Sequence, residues 1–287
     1  MKITDGKKIK KSILSLTLTA ATTVIIVAAL RVLLFASFRV PSFSMAPTLI
    51  AGDFILVNKL VLGPRIDFLG NHQDSGRPIR LAGYGAVKRN DVLVFNDPYY
   101  RSKKRIVQNW NAYYVKRCVG IPGDTLAIRA WAYTINGNPL DMPFASGTEE
   151  IKQPIMQTAA YAPSMFKPVG WTIFNFGPIY IPRQGDEVKL DSINIHLYRR
   201  LIEYETGKPV SITEQATFSL AGQALRSYRF KQNYYFMAGD HAADSKDSRY
   251  WGLLPEDHIV GKVAYIWKSK DPNTNSYRFD RFFKAVE

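Results

Sequence analysis

Between Ser12 and Leu30 the chain carries no charged residue. As a helix rising about 1.5 Å per residue, that run reaches about 29 Å, close to the hydrocarbon thickness of a bilayer. No other feature constrains the chain as much, because everything after the run must then fold on one side of a membrane. The apolar character continues past Arg31 through Val32, Leu33, Leu34 and Phe35. Lys2, Lys7, Lys8, Lys10 and Lys11 precede the run, against Asp5 alone. The positive-inside rule therefore predicts a cytoplasmic basic segment over residues 1–11 and a single-pass anchor over residues 12–36. The rest would lie on the extracytoplasmic side of the inner (plasma) membrane. A cleaved signal peptide would have a shorter core ending at small residues; here Arg31, Phe35 and Phe38 come after it.

The chain has 287 residues and a net charge of +14. The residues beyond the anchor suffice for one large or two small domains. A basic chain suits nucleic acid or an anionic membrane surface. No zinc-finger, RRM or basic-zipper pattern is present, so nucleic acid is not expected and membrane lipids are. Cys118 is the only cysteine, which rules out an internal disulfide. His72, His196, His241 and His258 show no metal-ligand spacing, and no metal or other cofactor is expected.

Short apolar runs punctuated by Gly, Pro and polar residues predict a mainly β protein with an antiparallel sheet. The expected strands include Asp53–Asn58, Asp91–Phe95, Ala112–Ile121, Leu126–Arg129, Trp131–Ile135, Tyr234–Ala238 and Gly261–Trp267. Residues 63–90 read as a long loop, Asn136-Gly137 as a hairpin turn, and Ile193–Glu205 as a short helix. The expected domains are a β core over residues 37–137 and 233–287, and a β-rich second domain inserted at 138–232.

Chemistry is suggested first by Pro41-Ser42-Phe43-Ser44-Met45-Ala46-Pro47-Thr48-Leu49, directly after the anchor. Proline near each end stiffens a backbone that carries two hydroxyls. A serine nucleophile needs a partner to take its proton. Asp240-His241 are sequence neighbours on a loop and do not orient one another as a triad requires. Lysine is the alternative, provided burial lowers its pKa. Lys116 sits in a strand pattern of bulky residues, with Arg117 beside it on the opposite face. Alternation alone leaves open which of the two points inward.

Three separated segments resemble the sequence boxes of type I signal peptidases. Pro41–Leu49 resembles their nucleophile box. Tyr114-Val115-Lys116-Arg117-Cys118-Val119-Gly120-Ile121-Pro122-Gly123-Asp124 resembles their lysine box, and Gly239–Gly252 their C-terminal box. The resemblance implies a membrane-bound serine endopeptidase that removes signal peptides from exported preproteins. It further implies Ser44 as nucleophile and Lys116 as neutral general base. Ser42 would donate to the oxyanion, Ser245 would orient the lysine, and Asp247 with Arg249 would support the site. Met45, Tyr114 and Val115 would contact substrate. Three positions depart from the family pattern. Phe43 stands where Gly is usual, His241 where Asn is common after the Asp, and Asp244 where Asn is common. Two other readings fit the same residues: a tethered β-rich binding module, or a Ser-Lys peptidase specialised for pilin-like substrates.

Overall fold

The computed structural model describes residues 3–66, 78–99, 105–140, 166–213 and 217–287. It opens with one helix, α1 (Ile3–Leu33), whose Lys10–Leu30 stretch is long and apolar enough to cross a bilayer. Then come β1 (Phe35–Arg39), β2 (Asp53–Asn58), β3 (Arg65–Ile66), β4 (Ile79–Arg80), β5 (Val92–Asn96) and β6 (Tyr113–Gly120). β7 (Thr125–Arg129), β8 (Ala132–Ile135), β9 (Asn138–Pro139), β10 (Asn175–Tyr180) and β11 (Glu187–Lys189) precede α2 (Asn194–Thr206). After it lie β12 (Val210–Ile212), β13 (Phe218–Leu220), β14 (Gln223–Ala224), β15 (Ser227–Arg229) and β16 (Tyr234–Ala238). The short α3 (Ser248–Trp251), β17 (Leu254–Pro255), β18 (Ile259–Ser269) and β19 (Lys284–Ala285) complete the chain.

The protein is mainly β, and every strand pairing among the described residues is antiparallel. Its largest sheet runs β1-β2-β18-β5-β6-β16-β17, with β19 added to β18. The central strand β5 explains how both faces are covered. Val92 and Val94 pack with Met45, Leu49, Ile55 and Val263 on one face. Leu93 and Phe95 pack with Cys118, Met237, Trp251 and Ile259 on the other. A strand buried on both sides needs the uninterrupted apolar run that residues 92–95 supply.

A second sheet, β10-β7-β8-β9, packs with α2 around a separate cluster that includes Phe166, Phe176, Tyr198 and Phe230. Residues 141–165 and 214–216 of the expected inserted domain lie outside the described residues.

The structure corrects two sequence expectations about secondary structure. Within 63–90 it builds the β3–β4 ribbon, which pairs Arg65 with Arg80 across the strands; residues 67–77 lie outside the described residues. Trp131, expected in a strand, instead forms the β7–β8 turn with Ala130, both at positive φ. Asn136-Gly137 then turns β8 into β9. A bulky residue rarely takes that conformation, so apolar patterning assigned Trp131 to the strand.

Candidate active site

The loop from Val40 to Ile50 is pinned from below. Val40, Met45 and Leu49 are all buried in the cluster beneath it. Backbone hydrogen bonds from Ala46 N to Phe43 O (2.8 Å) and from Leu49 N to Met45 O (2.9 Å) tighten it into turns. With those three apolar side chains directed into the core, Ser42 and Ser44 face a cleft of about 490 Å³. Met45 is thereby corrected: at 1% exposure it is a core residue and does not line the cleft. Phe43, two residues earlier, is exposed, at 49%. Phe43 is not among the residues at positive φ, so its Cβ meets no backbone objection where glycine is usual.

Across the cleft stands β6. Lys116 is 3% exposed, and its Nζ lies 2.5 Å from Ser44 Oγ. Burial is the main cause that lowers its pKa, from 10.5 to about 8. Asp247 pulls it back up and Arg249 pushes it down again. Ser42 Oγ sits 3.4 Å from Ser44 Oγ. The Ser44 N–H has no hydrogen-bond partner among the described residues. Tyr114 and Val115 line the same cleft.

Pairing of β6 with β16 ends at Arg117↔Ala238, so among the described residues the Tyr113–Lys116 edge on that side has no strand partner. β1 is likewise an edge strand, paired among those residues only with β2. The cleft therefore has an unpaired backbone edge at β6, with β1 and the residues just after it on the opposite wall.

The third wall comes from the loop after β16. Asp247 is fully buried and accepts from Arg249 Nε (2.8 Å), Arg249 Nη2 (2.7 Å), Gly239 N (3.0 Å) and Ser245 Oγ (2.8 Å). Burial alone would raise its carboxyl; the Arg249 guanidinium and these donors outweigh burial and hold it below the ordinary range. Ser245 lines the cleft, but its proton goes to Asp247, whereas the hydrogen bond of Lys116 Nζ goes to Ser44. Trp131 lies over the Arg249 guanidinium at 5.2 Å. This supporting ring was missed because only its left-handed turn aims it there.

A second buried pair was also missed. Arg117 does not face solvent: it grips Asp240 through Nε (2.8 Å) and Nη2 (2.9 Å). Asp240 also accepts from Thr48 Oγ1 at 2.5 Å, and Arg117 Nη1 donates to the main-chain oxygens of Asn90 and Glu287. The pair thus ties the nucleophile loop, β6 and the loop after β16 together. With its carboxylate so engaged, Asp240 does not orient His241, whose backbone N–H instead donates to Ser44 O. Gly239 makes that approach possible, since a Cβ there would overlap Ser245 Oγ and Ser44 O.

The geometry defines a hydroxyl held against a buried amine beside an open strand edge, an arrangement able to attack an extended peptide. A family model described as "Signal peptidase, peptidase S26" matches residues 13–268. A protein named Signal peptidase I from Buchnera aphidicola subsp. Baizongia pistaciae is 30% identical, covering 90% of this chain and 78% of its own length. Another of that name, from Haemophilus influenzae, is 27% identical over 90% of this chain and 71% of its own length. A crystal structure of a signal peptidase I from Enterococcus faecalis V583 aligns at 18% identity and a TM-score of 0.30, over 62% of this chain and 96% of that one. The chain belongs to the peptidase S26 family of signal peptidases.

Proposed function

We propose that the chain is a membrane-anchored serine endopeptidase that cuts signal peptides from exported preproteins, with Ser44 as nucleophile and Lys116 as general base. The observation that carries this reading is the 2.5 Å contact between a buried Lys116 amine and the Ser44 hydroxyl. An amine whose pKa lies near 8 is neutral often enough at physiological pH to take a proton. α1 holds the domain at the membrane with its basic N-terminus in the cytoplasm, so the cleft opens on the extracytoplasmic side, where the preprotein's own signal segment is also embedded. Sharing that surface raises the encounter rate of the two.

The substrate lies extended in the cleft and adds to the free edge at Tyr113–Lys116. Ser44 Oγ attacks the scissile carbonyl while Lys116 Nζ takes its proton. The tetrahedral oxyanion is held by the unpaired Ser44 N–H and the Ser42 hydroxyl. Lys116 then protonates the leaving amine, and the acyl-enzyme is released by a water that Lys116 deprotonates. Ser245, bound to Asp247, fixes the wall against which the lysine packs, and Arg249 fixes Asp247.

The full chain in detergent micelles, incubated with a preprotein, should cut after a small residue. Ser44→Ala and Lys116→Ala should each abolish cutting without changing the circular dichroism spectrum. Near-normal processing by either variant would end the dyad assignment.

A further inference from the structure

The open edge beside Ser44 does not stop at the cleft. A second cavity, of about 360 Å³, adjoins it and is lined in part by Phe35, Ala36, Ser37, Phe38, Trp110 and Tyr113. Phe38 and Tyr113 line both cavities, and their rings, with centroids 4.9 Å apart, form the sill that the two share.

Four successive residues of β1 border this second cavity. Side chains alternate between the faces of a strand, so a cavity that touches four residues in a row lies against the strand's edge. β1 also borders the cleft, through Phe38 and Arg39. Among the described residues its only strand partner is β2. One open backbone edge therefore runs along both cavities. A peptide paired with it near Ser44 needs no turn to continue into the second.

The reach follows from strand geometry. Tyr113 precedes Lys116 by three residues, or about 10 Å of strand. From Arg117 onward the β6 edge is taken by β16, so only the Tyr113 side is open to substrate. With the residue before the cut beside Lys116, the fourth residue before the cut lies about level with Tyr113. The fifth and sixth then fall in the second cavity. Its walls decide which side chains suit it. Phe35, Phe38 and Trp110 offer apolar surface. The Trp110 ring is stacked on Arg65 at 5.1 Å, and that guanidinium donates to the Asp257 carbonyl (2.8 Å) and to Asn96 Oδ1 (2.7 Å). β1 starts two residues after α1 ends at Leu33, so the far end of this path meets the foot of the membrane helix. A substrate's own apolar segment arrives from that side.

We propose that the second cavity is a distal subsite of the cleft, and that it takes an apolar side chain from the end of the substrate's signal segment, about five or six residues before the cut. The inference deepens the peptidase reading and rests on it.

The test uses the full chain in non-ionic micelles and two synthetic peptides that are identical from the fourth residue before the cut onward. One carries Leu at the fifth and sixth positions, and the other carries Ser. Wild-type kcat/KM should favour the Leu peptide by about 10-fold or more, the scale of a small change in fit to an apolar pocket. Trp110→Ala should bring that ratio down to about 1. Phe35→Ser alters a residue that is already 40% exposed, so its folding risk is small, and it should lower the ratio by about 3-fold. A variant that is merely less stable cuts both peptides more slowly and leaves the ratio alone. Equal cutting of the two peptides by the wild type would overturn the subsite and leave the peptidase reading standing, whereas no cutting of either removes both. A Leu preference that survives unchanged in both variants belongs to the micelle or to α1, and it overturns the subsite as well.

Discussion

Replacing Lys116 by Met should stabilise this protein while removing its activity. Met fills a similar volume without the amine, and buried swaps of that kind usually cost little in packing. The amine itself is expensive to bury: its pKa falls from 10.5 to about 8, mainly through desolvation. That is about 2.5 decades at about 1.36 kcal/mol each, or about 3 kcal/mol. Proton counting gives the sign. Below about pH 8 the lysine is protonated in both folded and unfolded chains, so the whole penalty is present. Between about 8 and 10.5 only the unfolded chain holds the proton, so stability rises with pH. Above 10.5 the penalty is gone. Lys116→Met should therefore exceed the wild type by about 3 kcal/mol near pH 6.5, reduced by about 1 kcal/mol for the lost hydrogen bond to Ser44. The gap should close by pH 10. Urea unfolding of the full chain in micelles, followed by tryptophan fluorescence at pH 6.5, 8 and 9.5, measures it. In parallel, wild-type kcat/KM should climb about tenfold per pH unit and level off near pH 8. A wild type as stable as Lys116→Met at pH 6.5 would refute the claim that burial, rather than a partner, sets this amine's charge.

The supports of the site yield two further outcomes. Arg117→Met leaves Asp240 buried without its cation, and breaking such a pair from one side costs about 3–5 kcal/mol; the urea midpoint of Arg117→Met should fall accordingly, and the Arg117→Met/Asp240→Leu double variant should recover much of that loss. Gly239→Ala would drive a methyl into Ser245 Oγ and Ser44 O, so kcat should drop by about 10²-fold or more, the scale of a misplaced catalytic group, with KM for a short peptide nearly unchanged.

Much of this architecture could be read directly from the residues. The charge-free run corresponds to α1, and the short apolar runs correspond to β2, β5, β6, β16 and β18. The helix expected over Ile193–Glu205 is α2, displaced by one residue at each end. Three things were illegible for physical reasons. Strand alternation holds that one of two successive residues faces water, but β6 is covered on both faces, so Lys116 and Arg117 are both buried. Met45, expected to contact substrate, is buried instead, because the turns around Ser44 direct the methionine into the core, and turn geometry is not encoded in hydropathy. Trp131 supports Arg249 from a left-handed turn that its side chain disfavours, so only the fold reveals it.

The two cations on β6 show why the site needs one of each kind. A guanidinium stays charged at any accessible pH, so burying Arg117 completely calls for a compensating carboxylate, and Asp240 meets it through two parallel hydrogen bonds. An ammonium can instead give up its proton, so Lys116 can be buried with a hydroxyl alone. For that to hold, nearby carboxylates must not rescue its charge. Asp247 is the strongest of those pulling it upward, yet Arg249 binds Asp247 on both oxygens and pushes Lys116 down in turn. Desolvation is left to decide. Exchanging the two residues along the strand would place a permanent cation against Ser44 and a titratable one against Asp240. The chain would keep its net charge and its hydrogen bonds to carboxylate, and it would lose the only base among the described residues in contact with the nucleophile.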